Sequence, residues 1–337
     1  MTNKLTDISD ITYSPQQASA LALKKIDQLR HDTGGGVKTG ITDIDAMVLP
    51  FRPGELVTVL GCTSHYKSGF MNWLSKQAIK SIPDGSDEIV IRVTWEQSVE
   101  EDTLTWLAGD ANMSVTSLAR GLVDEAEWKK LVNSSVHRAV TPMWIVGHSE
   151  IESREKRRAR PRMTMTDVGK AIQYIVNEAT DVQWRVRMIV LDYLQRIRPD
   201  QSDGETKREQ MMEAVNRAKD AAISFGCPVV LGVQASRDVQ SRNDKFPRID
   251  DGQETSNIEQ SSDKMFSLWY PIKTEKENEL IDGIKVTKNL LMVRLLKQKL
   301  GEAPKTFALY VDPEHNMIGS IQKPESPTQR KIYGQNE

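Results

Sequence analysis

The sequence predicts an α/β protein built on a mostly parallel, twisted β-sheet flanked by helices, and three observations carry that reading. From Val37 to about Ile321, short apolar runs alternate with segments of helical periodicity, the pattern of successive β-α units. One apolar run, Leu56–Leu60, passes through Gly61 into Lys67-Ser68 and then a helix, the order of a phosphate-binding loop. Three further apolar runs end in Glu96, Asp192 and Gln234, and open α/β sheets bind ligands at the carboxyl ends of their strands. With 337 residues, 38% of them hydrophobic, the chain can build a full core, which excludes wholesale disorder. The length alone allows about two domains or one large one. The 45 Lys and Arg against 47 Asp and Glu leave a formal charge of −2. That balance excludes a uniformly basic nucleic-acid coat protein but not a local basic channel. Two cysteines, Cys62 and Cys227, are too few for a disulfide framework and fit a reducing compartment. The polar start and the lack of any apolar stretch near about 18 residues predict an intracellular protein with no membrane span.

Taken in order, residues 1–13 are polar and read as a loose tail. A helix is expected over SPQQASALALKKIDQLRH, with Ser14 as N-cap, Pro15 in the first turn and Gln17 completing a capping box. Ala18, Ala22, Ile26 and Leu29 form one apolar stripe, and Gly34–Gly36 stop the helix and make a hinge. This unit, residues 14–36, must dock its stripe either on its own domain or on a neighbouring subunit. Strands are expected at Leu56–Leu60, Ile89–Thr94, Met143–Val146, Met188–Leu191, Val229–Val233, Lys264–Trp269, Leu290–Leu296 and Phe307–Val311. Helices are expected at Lys67–Ser81, Val99–Gly109, Asp124–Arg138, Met165–Ala179 and Glu209–Phe225. Ser149–Met163 and Asp200–Arg208 read as loops. The main domain therefore spans residues 37–321, and residues 322–337 read as a disordered tail.

The segment Gly61–Gly69 carries the most specific local signal. Gly61, Lys67 and Ser68 match the spacing G-x-x-x-x-G-K-[ST], with Thr63, Ser64, His65 and Tyr66 between them and Gly69 opening the helix. Loop and helix N–H groups can converge on phosphate oxygens, the lysine adds charge between phosphates, and the hydroxyl suits Mg²⁺. The sixth position, however, is Tyr66 and not glycine. If that position needs φ > 0, a side chain there costs about 1–2 kcal/mol. Asp192 closes a buried strand where a carboxylate would hold Mg²⁺, whereas alone it would read as a plain strand terminus. Glu96 can orient and deprotonate water, against the plainer reading of an acid at a helix start. Gln234 is neutral, donates and accepts, and suits sensing of a γ-phosphate.

The order of motifs resembles the RecA-like ATPase domain of replicative helicases of the DnaB type. GVKTGITDIDAMVLPFRPGELVTVLG is similar to the family's approach to the P-loop, TWEQSVEED to its strand with the catalytic glutamate, and VLDYLQRI to its Walker-B strand. VQASRDVQSRNDKFPRIDDGQETSNIEQSSD resembles its glutamine strand and DNA-facing loop, and RLLKQKLGEAPKTFALYVDPE its closing hairpin. The likeness runs from about Ser14 to Gly319, and the capped helix resembles the family's linker helix, which packs on the adjacent subunit. The family's helical N-terminal domain has no counterpart in the thirteen residues before that helix.

The resemblance implies a hexameric ring with ATP at subunit interfaces and single-stranded DNA in the channel, in the cytoplasm of a bacterial or phage-infected cell. It assigns Lys67 and Ser68 to phosphate and Mg²⁺, Asp192 to Mg²⁺, Glu96 to the catalytic base and Gln234 to the sensor. Lys297 and Lys299 stand where the family reaches into the neighbour's site, with Lys299 in place of an arginine and so without its planar fork. In the DNA-facing loop Gln253 replaces an arginine beside Glu254 and Ser256, while Arg237, Arg242, Lys245 and Arg248 are candidate channel residues or an ordinary charged loop. The basic run Arg154–Arg162 reads as an insertion that contacts nucleic acid or a partner, or as a solvated segment. A primase or loader protein is an expected partner. Two functions stay open: an ATP-driven DNA translocase, and a nucleotide-binding, DNA-binding or assembly ring with weak or no hydrolysis, to which Tyr66, Lys299 and Gln253 point. A strand-exchange or clock-type ATPase of the same core fits the DNA-facing loop and linker helix less well.

Overall fold

A computed structural model describes residues 11–31, 36–156, 163–197, 206–251 and 256–321. It divides the chain into two compact units, residues 1–36 and 37–337. The first unit holds α1 (Pro15–Arg30), which forms because Ser14 and Gln17 exchange capping-box bonds: Gln17 N–H donates to Ser14 Oγ at 3.2 Å and Ser14 N–H to Gln17 Oε1 at 2.8 Å. No residue of α1 is buried, and Leu21, Ile26 and Leu29 are exposed. The expected glycine hinge lies largely outside the described residues.

The second unit begins with α2 (Thr42–Asp45), where Asp45 accepts from the Thr39 and Gly40 N–H groups and folds the entry segment. Then follow β1 (Leu56–Gly61), α3 (Lys67–Lys80), β2 (Glu88–Thr94), α4 (Val99–Ala111), α5 (Val115–Ala119) and α6 (Glu125–Ala139). Next come β3 (Met143–Val146), α7 (Glu150–Glu155), α8 (Met165–Asn177), β4 (Arg185–Asp192), α9 (Lys207–Ser224), β5 (Val229–Gln234), α10 (Ser256–Ser261) and β6 (Lys264–Trp269). A small hairpin, β7 (Leu280–Ile281) and β8 (Ile284–Lys285), precedes β9 (Leu290–Gln298), β10 (Lys305–Asp312) and β11 (Met317–Ser320).

Nine strands make one sheet in the order β11-β10-β9-β6-β1-β5-β4-β2-β3. The six strands from β6 to β3 are mutually parallel, while β9, β10 and β11 extend the sheet antiparallel. Side-chain alternation gives the central strands β1, β2, β4, β5 and β6 two buried faces. Ile89, Ile91, Val93, Ile189, Leu191, Val229 and Leu231 face α8 and α9, whereas Val90, Val190, Val57, Val59 and Phe266 face α3. The same alternation turns Arg92, Thr94 and Asp192 toward the α3 side.

All eight expected strands and five expected helices of this unit are present. Three expectations are corrected. Ser149–Met163 is not wholly loop, because the Ser149 hydroxyl accepts from Glu152 N–H at 3.0 Å and starts α7. Lys207 and Arg208 already belong to α9, capped by Thr206. Ser256 and Asn257, expected in the DNA-facing loop, lie in the first turns of α10. The strand β11 and the short α2 and α5 were not expected.

Candidate active site

Register brings the strand ends to one edge. Gly61 pairs with Gln234 across β1 and β5, Leu191 with Leu231 across β4 and β5, and Thr94 with Asp192 across β2 and β4. Glu96 follows two residues after β2.

The loop between β1 and α3 curls through two left-handed residues, Ser64 (φ 65°) and Tyr66 (φ 64°). It delivers Lys67 and Ser68 as the first two residues of α3, where first-turn N–H groups lack helical acceptors and the helix dipole favours an anion. His65 is buried, and its Nδ1 accepts from the Tyr270 N–H at 3.1 Å, fastening the loop to the end of β6. Burial pushes the imidazole down to about 4, so it is neutral at pH 7. Thr63 Oγ1 accepts from Gln234 Nε2 at 2.8 Å. Gln234 is itself clasped at its backbone by Gln195, through bonds of 2.9 and 3.0 Å. Nothing in the sequence pattern singles out Gln195, although it stands three residues beyond Asp192.

Tyr66 does occupy the φ > 0 conformation that its place in the loop demands. Its ring packs on Tyr270, with centroids 6.2 Å apart, and lies directly over Gly69. A Cβ built on Gly69 would stand 2.6 Å from Tyr66 Cζ. The phenol hydroxyl is buried without a hydrogen-bond partner among the described residues, and burial, with Asp312 and Tyr270 nearby, pushes its pKa up. The ring therefore leans toward the β6 and β10 side of the loop. Lys67 points elsewhere: its buried Nζ stands 4.1 Å from the centroid of Tyr193. Burial lowers the Lys67 pKa, while Asp192 and Glu96 act to hold it up.

Asp192 is buried, and its Oδ2 accepts from Arg92 Nη2 at 3.4 Å. The other oxygen, Oδ1, is buried with no hydrogen-bond partner among the described residues. An unpaired buried carboxylate oxygen is costly, and a hydrated cation would relieve it. Among the described residues no group of three or more His, Cys, Asp or Glu is placed to hold a metal. A single carboxylate ending β4, with the hydroxyl of Ser68 at the start of α3, is instead the kind of donor set that suits a Mg²⁺ ion that keeps its waters and binds phosphate oxygens. The residues present fit that ion. Glu96 is half-exposed, with Oε1 3.7 Å from Arg196 Nη2, and Arg196 Nε donates to Tyr193 Oη at 3.2 Å.

Lys297 and Lys299 lie at the opposite edge. Because β9 runs antiparallel to β6, Lys264 at the start of β6 pairs with Gln298, whereas Leu268 near its end pairs with Gly61. Lys297 Nζ donates to the Glu259 carbonyl at 2.5 Å, and the exposed Lys299 Nζ stands 3.6 Å from Asp263 Oδ1. In the segment after β5, Arg242 is ion-paired with Asp251, and Arg248 N–H donates to the same carboxylate at 2.6 Å. Arg248 also faces Asp244 at 4.0 Å. Lys245 lies in the same segment. Gln253, Glu254 and the side chains of Arg237 and Ser256 fall outside the described residues, as does most of the basic run after Lys156.

The pattern of the DnaB-like helicase C-terminal domain matches residues 36–315. The chain belongs to that family. It is 26% identical over 307 residues to the replicative DNA helicase DnaC of Bacillus subtilis (strain 168), a match covering 88% of this chain and 60% of that protein. It is 23% identical over 299 residues to the replicative DNA helicase DnaB of Geobacillus stearothermophilus, again covering 88% and 60%. The chain thus spans about three-fifths of the length of these DnaB-type relatives. Among solved structures, the ATPase domain of G40P superposes with a TM-score of 0.73 at 19% identity, covering 90% of this chain and 98% of that one. A DnaB-like replicative helicase, described together with its interactions with primase, has the same TM-score and identity and covers 92% and 68%. These likenesses make the sheet a RecA-like DnaB ATPase fold.

Proposed function

We propose that this DnaB-family chain is the ATP-driven motor of a ring-forming DNA helicase that acts on single-stranded DNA in replication. The carrying observation is the single edge at which Lys67, Ser68, Asp192, Glu96 and Gln234 meet, with one buried carboxylate oxygen left open. In this reading Gly61–Gly69 cradles the triphosphate of ATP, Lys67 balances its charge, and Ser68 and Asp192 hold Mg²⁺. The cation supplies charge neutralisation for phosphoryl transfer. Glu96 then orients water and takes its proton, and Gln234, through Thr63, reports the γ-phosphate to the segment that follows β5.

Lys297 and Lys299 serve the site of an adjoining copy, since their own loop lies at the far edge of the sheet. Assembly into a hexamer is supported by two exposed apolar helix faces, that of α1 and the Trp128, Val132 and Val136 stripe of α6. Arg237, Arg242, Lys245, Arg248, Gln253, Glu254 and Ser256 are the DNA-facing candidates. A primase or loader is the expected partner, and the cytoplasm of a bacterial or phage-infected cell the expected setting. No described helix is long and apolar enough to cross a membrane.

A second reading, a nucleotide-dependent ring with weak or no hydrolysis, is favoured by the left-handed Tyr66 and by the Glu96–Arg196 pair, which occupies the proposed base. Single-stranded-DNA-stimulated ATP turnover of the parent beside Glu96→Gln separates the two. A parent that exceeds the variant by at least about a hundredfold supports the motor. Equal, background rates support the second reading.

A further inference from the structure

Arg92 is a fully buried arginine in the interior of β2, between Ile91 and Val93. Its neighbours on the same face, Val90 and Val190, are aliphatic, and an aliphatic residue would fill the place at no electrostatic cost. Register explains why a charge is there. Thr94 pairs with Asp192 and Arg92 with Val190, so Arg92 and Asp192 are diagonal neighbours on one face of adjacent strands. The guanidinium makes two unequal contacts: Nε to Asp102 Oδ1 at 2.7 Å and Nη2 to Asp192 Oδ2 at 3.4 Å. Asp102 comes from α4 and is also fully buried. The helix that carries it is fixed by a capping box between Ser98 and Glu101, immediately after Glu96.

We propose that Arg92 is a positioning residue for the cation-binding carboxylate, holding Asp192 by Oδ2 so that Oδ1 stays open to Mg²⁺, with Asp102 absorbing most of the guanidinium charge. The inference rests on the reading of this edge as a site for a nucleoside triphosphate and Mg²⁺. The inequality of the two contacts is its physical core. A bidentate arginine would occupy both oxygens of Asp192 and compete with the cation. Here the stronger bond goes to Asp102, and Asp192 keeps one oxygen oriented and one free. Lys67 and Arg92 together carry the charge that Asp102 and Asp192 cancel, so the pocket is balanced before ligands enter. Supporting residues of this kind typically change metal affinity by about 10–100-fold when removed.

The test is Mg²⁺ titration of a fluorescent, non-hydrolysable ATP analogue bound to the full chain, with affinity in EDTA and melting temperature measured alongside. The double variant Arg92→Leu/Asp102→Leu replaces the buried pair with apolar residues, an exchange that commonly leaves stability unchanged or raised. The expected result is a Mg²⁺ midpoint about 10–100-fold higher, with affinity in EDTA unchanged within about twofold. A midpoint within about twofold of the parent overturns the inference. If the double variant does not fold, Asp102→Asn carries the test: it leaves Arg92 with Asp192 as its only anionic partner among the described residues and should also raise the midpoint, and an unmoved midpoint overturns the proposal. Asp192→Asn separates the two levels of failure. If the parent shows no Mg²⁺ dependence, or Asp192→Asn titrates as the parent does, the site reading falls and the positioning role with it. If Asp192→Asn loses the dependence while the double variant keeps it, only the positioning role falls.

Discussion

Replacing Gly69 by alanine tests how this loop tolerates a tyrosine where the P-loop pattern has glycine. The built Cβ of Gly69 would meet Tyr66 Cζ, Cε1 and Cε2 at 2.6, 2.7 and 2.9 Å, so the ring or the first turn of α3 must shift. Overpacking of this kind costs about 1–3 kcal/mol. Alanine in place of a helical glycine returns at most about 1 kcal/mol. Gly69→Ala alone should therefore destabilise by about 1–2 kcal/mol. In a Tyr66→Gly background the obstruction is gone, and the same change should stabilise by up to about 1 kcal/mol. The coupling between the positions is then about 2 kcal/mol or more, within the range measured for residues in direct contact. Tyr66→Gly alone should be nearly neutral. It relieves a left-handed side chain worth about 1–3 kcal/mol and removes a buried hydroxyl without a partner, but it gives up the packing of the ring on Tyr270. Urea unfolding of the four proteins in the cycle measures the coupling directly. Additivity to within about 0.5 kcal/mol would refute the claim that Gly69 exists to seat the Tyr66 ring.

Three other outcomes follow from the same geometry. His65 binds its proton less readily in the folded protein, at about 4 against an ordinary 6.5, so the unfolded state takes up more protons as pH falls between those values. Stability should drop by about 1–2 kcal/mol from pH 6.5 to 5, and His65→Gln, compared by denaturation across that range, should flatten the drop. Asp263 accepts the Leu56 N–H at 2.9 Å and Lys219 Nζ at 2.5 Å at the entrance of β1, so Asp263→Ala should cost about 3 kcal/mol in denaturant unfolding, and a loss under about 1 would show the pair to be dispensable. Lys299→Ala should abolish ATP turnover without weakening nucleotide binding, and mixing it with Lys67→Ala chains should restore part of the rate; no recovery in the mixture would argue against service in trans.

The strands were legible because each is an apolar run of ordinary length bounded by glycine, proline or charge, and their expected limits fall within three residues of the structure at every end. The misses share a cause. β11 is four residues, MIGS, with a glycine and no periodicity to read, and it is a strand only because β10 offers it an antiparallel edge. α7 hides at the start of a basic run, where composition masks the Ser149 cap. In the site, Lys67, Asp192, Glu96 and Gln234 could be found because each announces itself beside its own strand. Gln195 and Tyr270 could not, because their roles arise from pairings with Gln234 and His65, 39 and 205 residues away in sequence; Asp102, ten residues from Arg92, reads as one more acid in the acidic first turn of α4. Arg92 was the exception that left a local trace: a charge in the middle of IVIRVTW has no business in a doubly covered strand unless something buried answers it.

The two closing lysines show why direction matters as much as motif. KQK says only that basic residues end a strand. The antiparallel course of β9 against β6 places Lys297 opposite Met265 and Lys299 beside Asp263, about three and five strand residues from the level of Gly61, or about 10 and 16 Å at 3.3 Å per residue. A lysine side chain is shorter than either span, and β6 lies between β9 and β1. Within one chain these residues can brace the entrance of β1 but cannot reach the phosphate loop. Any part they take in the proposed ATP chemistry therefore requires a second copy, which makes their position the strongest internal argument that the proposed motor is completed only between chains.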